Sequence, residues 1–233
     1  MSAILELRDL SWAPPGSASP VFDHLSLTVR PGEAIAVAAG LGGGKSSLLR
    51  LAVGLEEPWG GSVLVCGQPP QRMRHRIGYV PNEGALISNL SLWDNLVLPL
   101  RWWQDPSAEE VERRAQAVLT TFGIERLPPM LPDYAPTNLR RLVALGRALI
   151  LDPVLLLLDE PTDDFDPACA VDIWALLASV AQERQLAILA ASAAPPAVPA
   201  WRVVPLPQRE PPLTRRFRPQ RPTPPSTAEG ASA

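Results

Sequence analysis

Lysine is nearly absent from this chain: of its 21 lysine and arginine residues, only Lys45 is a lysine. Cysteine is as scarce, and Cys66 and Cys169 alone exclude a disulfide framework. The two histidines, His24 and His75, fall at a strand and a turn and read as surface residues. Long apolar runs are also missing. A membrane helix needs about 18 or more uninterrupted apolar residues, and runs such as Val154 to Leu158 have only strand length. A strong excess of positive charge is lacking as well. The formal net charge of -3 argues against a non-specific nucleic-acid binder. No charged-then-apolar leader opens the sequence, so the expected setting is reduced and cytoplasmic, with any membrane role peripheral. With 233 residues and 46% hydrophobic content, one substantial core can form, alone or with a small subdomain.

What is present centres on the lone lysine. The run Ala39-Gly40-Leu41-Gly42-Gly43-Gly44-Lys45-Ser46-Ser47 follows an apolar strand, Ala34 to Ala38, and opens a helix from Ser46 to Val53 that Gly54 closes. Glycine-rich turns of this kind present backbone N–H groups to phosphates, the lysine reaches the terminal phosphates, and a Ser hydroxyl binds Mg2+. Lys45, Gly40, Gly42, Gly43, Gly44, Ser46 and Ser47 are therefore candidate nucleotide-binding residues. A β–α turn with a solvated lysine is the structural alternative. Ala39 stands where the motif begins with glycine, at a cost on the order of 1 kcal/mol if that position needs a positive φ.

Farther along, Leu25, Leu27 and Val29 alternate ahead of the Arg30-Pro31-Gly32-Glu33 turn, which predicts a β-rich edge. Ser62 to Cys66 and Ile77 to Val80 read as further strands. The middle of the chain is helical: Ser107 and Glu110 form a capping box, with Gly123 as the stop. Leu139 to Leu149 reads as a second helix with arginines on one face. Val154 to Leu158 is wholly apolar, as a parallel strand covered on both faces requires, and ends in Asp159-Glu160-Pro161-Thr162. Asp166-Pro167 caps a helix to about Glu183, and Leu186 to Ala191 is the next strand. The fold class is α/β. Residues 1–208 are expected to form a single domain with helices inserted over about 82–150. Residues 209–233 read as a disordered Pro/Arg-rich tail, solvated or touching anionic lipid through Arg215 to Arg218.

A phosphate loop followed by four apolar residues and Asp-Glu assigns Asp159 to Mg2+ with Ser46, and Glu160 to polarising the attacking water. Alone, the acidic pair would read equally as a helix cap. The order of these motifs over about residues 4–206 resembles the ATP-binding subunits of ABC transporters. Val143 to Leu149, Asp152-Pro153 and LLLLDEPT are similar to the family's signature helix and Walker B strand, and Asp166 falls at the aspartate of its D-loop. The resemblance implies a P-loop NTPase core with a β-rich edge and a helical subdomain, binding ATP and Mg2+. It further implies an integral-membrane permease partner and pairing with itself or with a second ABC ATPase at the inner face of a bacterial plasma membrane. The stretch from Gly84-Ala85-Leu86 to Pro99-Leu100-Arg101 most resembles Mla-type ATPases, which move phospholipid. By the same resemblance residues 82–105 receive the permease's coupling helix, with Trp93, Trp102 and Trp103 either in contact with it or filling the subdomain core.

The departures matter as much. The family's LSGGQ signature falls on Ala135, Pro136, Thr137, Asn138 and Leu139, and none of its residues survives. Pro136 has neither hydroxyl nor N–H, and each lost donor at a preorganised site is worth about 3 kcal/mol. The Q-loop glutamine aligns with Asn82, a metal candidate one methylene short. The switch histidine is Ala193. Trp12 lies near the position of the adenine-stacking aromatic, which itself aligns with Pro14. Weak or absent hydrolysis by the isolated chain is the expectation, and a non-hydrolysing regulatory subunit is the alternative.

Overall fold

Eight strands form two sheets in a computed structural model of the protein, which describes residues 2–17, 19–40 and 42–206. The expected tail and the last residues of the expected domain lie outside the described residues. Strands β1 (Leu5–Trp12), β2 (Phe22–Val29) and β4 (Gly60–Val65) make an antiparallel sheet in the order β2-β1-β4. Strands β3 (Ala34–Ala38), β5 (Ile77–Val80), β6 (Leu155–Asp159), β7 (Ala187–Ser192) and β8 (Trp201–Pro205) make a parallel sheet in the order β5-β6-β7-β3-β8.

The helices are α1 (Lys45–Val53), a short α2 (Pro70–Met73), α3 (Leu92–Trp103), α4 (Ala108–Thr121), α5 (Thr137–Leu149) and α6 (Pro167–Arg184). Helices α3, α4 and α5 all fall between the neighbouring strands β5 and β6 in sequence, which is the helical insertion the spacing implied.

Alternation along the buried strands divides the core in two. Ala36, Leu156, Leu158, Ile188 and Ala190 face one side and pack with α3, α4, α5 and α6. Ile35, Val37, Leu155, Leu157 and Leu189 face the other and pack with α1 and the antiparallel sheet. The parallel sheet is thus the middle layer, and its strands must be apolar on both faces. The loops at its C-terminal edge, where ligands bind in such sheets, carry the acidic pair and the glycine run.

Local signals account for most boundaries. Gly54 caps α1 at φ 74, and Asp166 caps α6 by accepting from the N–H groups of Ala168 and Cys169. Ser107 accepts from Glu110 N at the start of α4. The Glu110 carboxylate, however, turns to Arg113 and Arg114, so the Ser107 oxygen does the capping seen there. Two elements depart from the sequence reading. Helix α3 contains Pro99 and two terminal tryptophans, which obscure its period, yet Ser91 caps it through Asp94 N and its buried face joins the core. Strand β8 lies in the proline-rich region after Pro195, where no strand was expected, and it forms because β3 offers it an edge. The arginines of α5 differ in burial: Arg140 bonds Thr137 at the exposed start of the helix, whereas Arg141 is 3% exposed.

Candidate functional site

A cleft of about 490 Å3 opens beside the start of α1. Gly40, Gly42, Gly43, Gly44, Lys45, Ser46 and Ser47 line it, together with Trp12, Asn82, Asp159 and Glu160. The candidate nucleotide, metal and catalytic residues named from sequence therefore share one cavity.

The glycines are there for distinct reasons. Gly42 and Gly44 adopt φ 74 and 83, which L side chains avoid. A Cβ on Gly44 would lie 2.4 Å from Val21 Cγ1, and one on Gly43 would lie 2.5 Å from the Ala39 Cβ. Ala39 itself is not among the residues with positive φ, so the cost that a positive φ would impose on alanine there does not arise. At Gly40 and Gly42 a Cβ would meet nothing within 4 Å. Among the described residues, the backbone at these two glycines is thus not covered by side chains.

The lysine ammonium donates to Ala39 O at 2.8 Å and stands 3.3 Å from Glu160 Oε1. Both side chains are about 10% exposed, so the pair is shielded from solvent. Glu160 Oε2 accepts from the N–H of Ala193 at 2.9 Å. Glu160 also has φ 45, a conformation held by its N–H bond to Ala191 O. Position 193 lacks an imidazole, but its backbone orients the carboxylate. Asp159 is buried at the end of β6, and burial pushes its carboxyl above the usual range; a hydrogen bond from the Ser46 hydroxyl and the charge of Lys45 oppose that rise, while Glu160 adds to it.

A buried carboxylate bonded to a serine hydroxyl beside a glycine cradle suits Mg2+, which takes one or two protein oxygens and completes its shell with water and phosphate. Among the described residues no group of three or more His, Cys, Asp or Glu could hold a metal, so an all-protein cage is not on offer.

Other assignments stand at the cleft's wall or outside it. Trp12 reaches its wall but is buried and packs on Phe22, ring centroids 6.2 Å apart. Pro14 and Pro15 lie beside it on the same wall. None of residues 135–139 lines the cleft. Ala135 is buried, Pro136 sits at the N-cap of α5 without a side-chain cap, and Asn138 Oδ1 takes up the N–H of Leu139. Asp166 is committed to capping α6. Two groups bearing on the site carry no motif. Arg50 lines the cleft and binds Ser47 Oγ and Glu56, and Arg141 binds two loops at its edge. The consecutive pair Arg140-Arg141 offers no local sign of which member turns inward.

A second, apolar groove of about 530 Å3 is lined by Arg74, His75, Tyr79, Trp102, Trp103 and Arg147, among others. Trp102 is 76% and Trp103 52% exposed. Trp93 packs against the helical core and does not line that groove, so the three tryptophans form no single surface.

Residues 22–163 match the ABC transporter family. The chain is 35% identical over 179 residues to the lipoprotein-releasing system ATP-binding protein LolD of Chromohalobacter salexigens, covering 72% of this chain and 75% of that protein. It is 33% identical over 198 residues to the thiamine import ATP-binding protein ThiQ of Salmonella paratyphi A, covering 81% and 80% respectively. Its fold is similar to the dimeric structure of a bacterial ABC transporter cassette, with a TM-score of 0.75 at 24% identity over 82% of this chain and 88% of that one. With the matched segment running from β2 through the glycine cradle to the acidic pair, the chain belongs to the ABC transporter family, as an ATP-binding subunit.

Proposed function

We propose that this subunit binds MgATP in the cleft around Lys45 and couples that binding to transport by a membrane permease, with little hydrolysis of its own. The observation that carries the reading is the convergence of Lys45, Ser46, Asp159 and Glu160 on one cavity that Gly40, Gly42, Gly43 and Gly44 also line. Gly40 and Gly42 to Gly44 would cradle the phosphates, Lys45 would meet the terminal ones, and Ser46, Asp159 and Asn82 would approach Mg2+. Bound Mg2+ would neutralise phosphate charge. Glu160, oriented by the Ala193 N–H, would polarise water.

Weak hydrolysis is inferred from the segment that should complete a neighbouring site. At residues 135–139 the helix opens on a proline, and one of its free N–H groups is already occupied by Asn138. Two copies of this chain would carry two such segments, so a second ATPase with intact signature residues is the better partner. The permease would dock on the groove flanked by Trp102 and Trp103, within residues 82–150 proposed as a helical subdomain. Lipid or another hydrophobic compound is the proposed substrate, supported by the resemblance of residues 84–101 to phospholipid-moving ATPases. Among the described residues no helix is long and apolar enough to cross a membrane, which fits attachment to the inner face through the permease.

A non-hydrolysing regulatory subunit is the second reading. It is favoured by one observation: both carboxylate oxygens of Glu160 are engaged by protein groups, Lys45 and the Ala193 N–H.

Calorimetry of MgATP binding, with phosphate release followed in the same preparation, tests both. The expected result is binding that Lys45→Ala abolishes, with little release until an intact ATPase is added. Absence of binding would overturn the nucleotide reading. Rapid release by the isolated chain that Glu160→Gln eliminates would overturn the claim of weak hydrolysis.

A further inference from the structure

Arg141 stands one turn into α5 and is 3% exposed. Arginine is rarely so buried unless it is paired. Its Nε donates to Asp164 Oδ2 at 2.7 Å, its Nη1 to Pro81 O at 3.3 Å, and its Nη2 to Asn82 O. These partners belong to two different loops. Pro81 and Asn82 follow β5, Asp164 follows β6, and β5 and β6 are adjacent parallel strands. The guanidinium therefore ties together the two loops that leave the same end of the sheet, and ties both to α5.

Asn82 is the residue through which this tie reaches the cleft. It borders the cavity that contains Ser46, Asp159 and Glu160. It also borders a smaller polar cavity of about 240 Å3 that Arg141 and Asp164 line. A second arginine of α5 holds the same loop farther on, because Arg147 Nη2 donates to Gly84 O at 2.9 Å. Helix α5 thus grips the loop at Pro81, Asn82 and Gly84.

The rigid fork of arginine satisfies two successive carbonyls and a carboxylate at once, which a lysine ammonium does not do with fixed direction. Asn82 has a shorter side chain than glutamine, so the position of its backbone decides whether its amide reaches a metal.

We propose that Arg141 is a positioning residue that sets the reach of Asn82 toward Mg2+, and so controls the part of ATP affinity that depends on the metal. It touches neither nucleotide nor metal. The inference rests on the MgATP reading given above.

The test measures ATP affinity by calorimetry with Mg2+ and with excess chelator, for the full chain and for Arg141→Gln, Asp164→Asn and Asn82→Ala, singly and in pairs. Loss of a group that orients a metal contact costs about tenfold or more in metal affinity. Arg141→Gln is expected to lower affinity by about that factor in Mg2+ and to leave the chelator value unchanged. In the Asn82→Ala background it should cause no further loss, since the two act in series. Arg141→Lys should recover part of the effect. Asp164→Asn should show a smaller loss of the same kind, and it carries the test alone if thermal melting shows that Arg141→Gln does not fold.

Equal losses with and without Mg2+, or a loss that adds to that of Asn82→Ala, would overturn the proposal and leave Arg141 as a purely structural ion pair. If the unmodified chain binds ATP but gains nothing from Mg2+, this proposal fails and nucleotide binding stands. If it binds no ATP under either condition, the MgATP reading fails and this proposal falls with it.

Discussion

One methyl group changes which glycines the phosphate loop needs. Ala39 replaces the first glycine of the motif without adopting a positive φ, and its Cβ fills the space that a side chain at position 43 would take. Gly43→Ala is therefore expected to destabilise the chain by about 1–3 kcal/mol through overpacking. Adding Ala39→Gly should restore most of that loss, a coupling that a double-mutant cycle in urea measures. Asp159 makes a second test at this scale. Burial raises its pKa above 3.8, so its protonated form is favoured in the folded chain. The corresponding stability is present in full below 3.8 and is lost as pH rises through the folded value. At neutral pH the fold thus carries a penalty for the buried charge, which Asp159→Asn removes. The variant should melt at a higher temperature than the unmodified chain near neutrality, and the difference should close as the pH falls toward 3.8. A lower melting temperature at neutral pH would show that the Ser46 and Lys45 contacts outweigh burial.

Strand β8 shows how an element can form against its local composition. Its residues Trp201 to Pro205 follow a stretch rich in proline and alanine, and although Val203 and Val204 favour a strand, the run is only five residues long and ends in proline. Pairing with β3 gives its backbone partners, and Trp201 anchors it. The indole meets Trp174 of α6 edge to face at 4.6 Å between centroids, and its Nε1 donates to Trp174 O at 2.9 Å. Trp201→Ala should cost about 3–5 kcal/mol, read from the midpoint of chemical denaturation. It should also release the edge of β3, visible as faster amide exchange along that strand.

At the scale of the whole molecule, the parallel sheet separates two cores and gathers every candidate catalytic group at one edge. The groove on the other side of β5 is built differently, with exposed tryptophans, Arg74 and His75 around apolar walls. Trp102 contributes little to the fold at 76% exposure. Trp102→Ala should change stability by no more than about 0.5 kcal/mol, yet weaken co-purification with the permease. Loss of stability without loss of association would assign this tryptophan to the core and remove the groove from the docking surface.

Much of this was legible along the chain because it depends on local chemistry. Strands β3 and β5 start and end where their short apolar runs and flanking turns place them, and α6 begins just after Asp166, whose carboxylate caps it. The glycine run and the lone lysine among arginines mark this cleft in the sequence, because glycine tolerates the positive φ found at Gly42 and Gly44 and lysine offers a compact charge on a flexible stem. Helix α3 was hidden by Pro99, and β8 by its short, mixed sequence; both exist through burial or pairing against distant residues. The sequence by itself determined the fold class and singled out the glycines, Lys45 and the acidic pair that line one cleft. Only the tertiary structure decided that Arg141 faces inward, that the Ala193 backbone holds Glu160, and that Trp93 parts from Trp102 and Trp103. These depend on which carbonyls, carboxylates and apolar faces meet across the fold, and such partners are far apart in the chain.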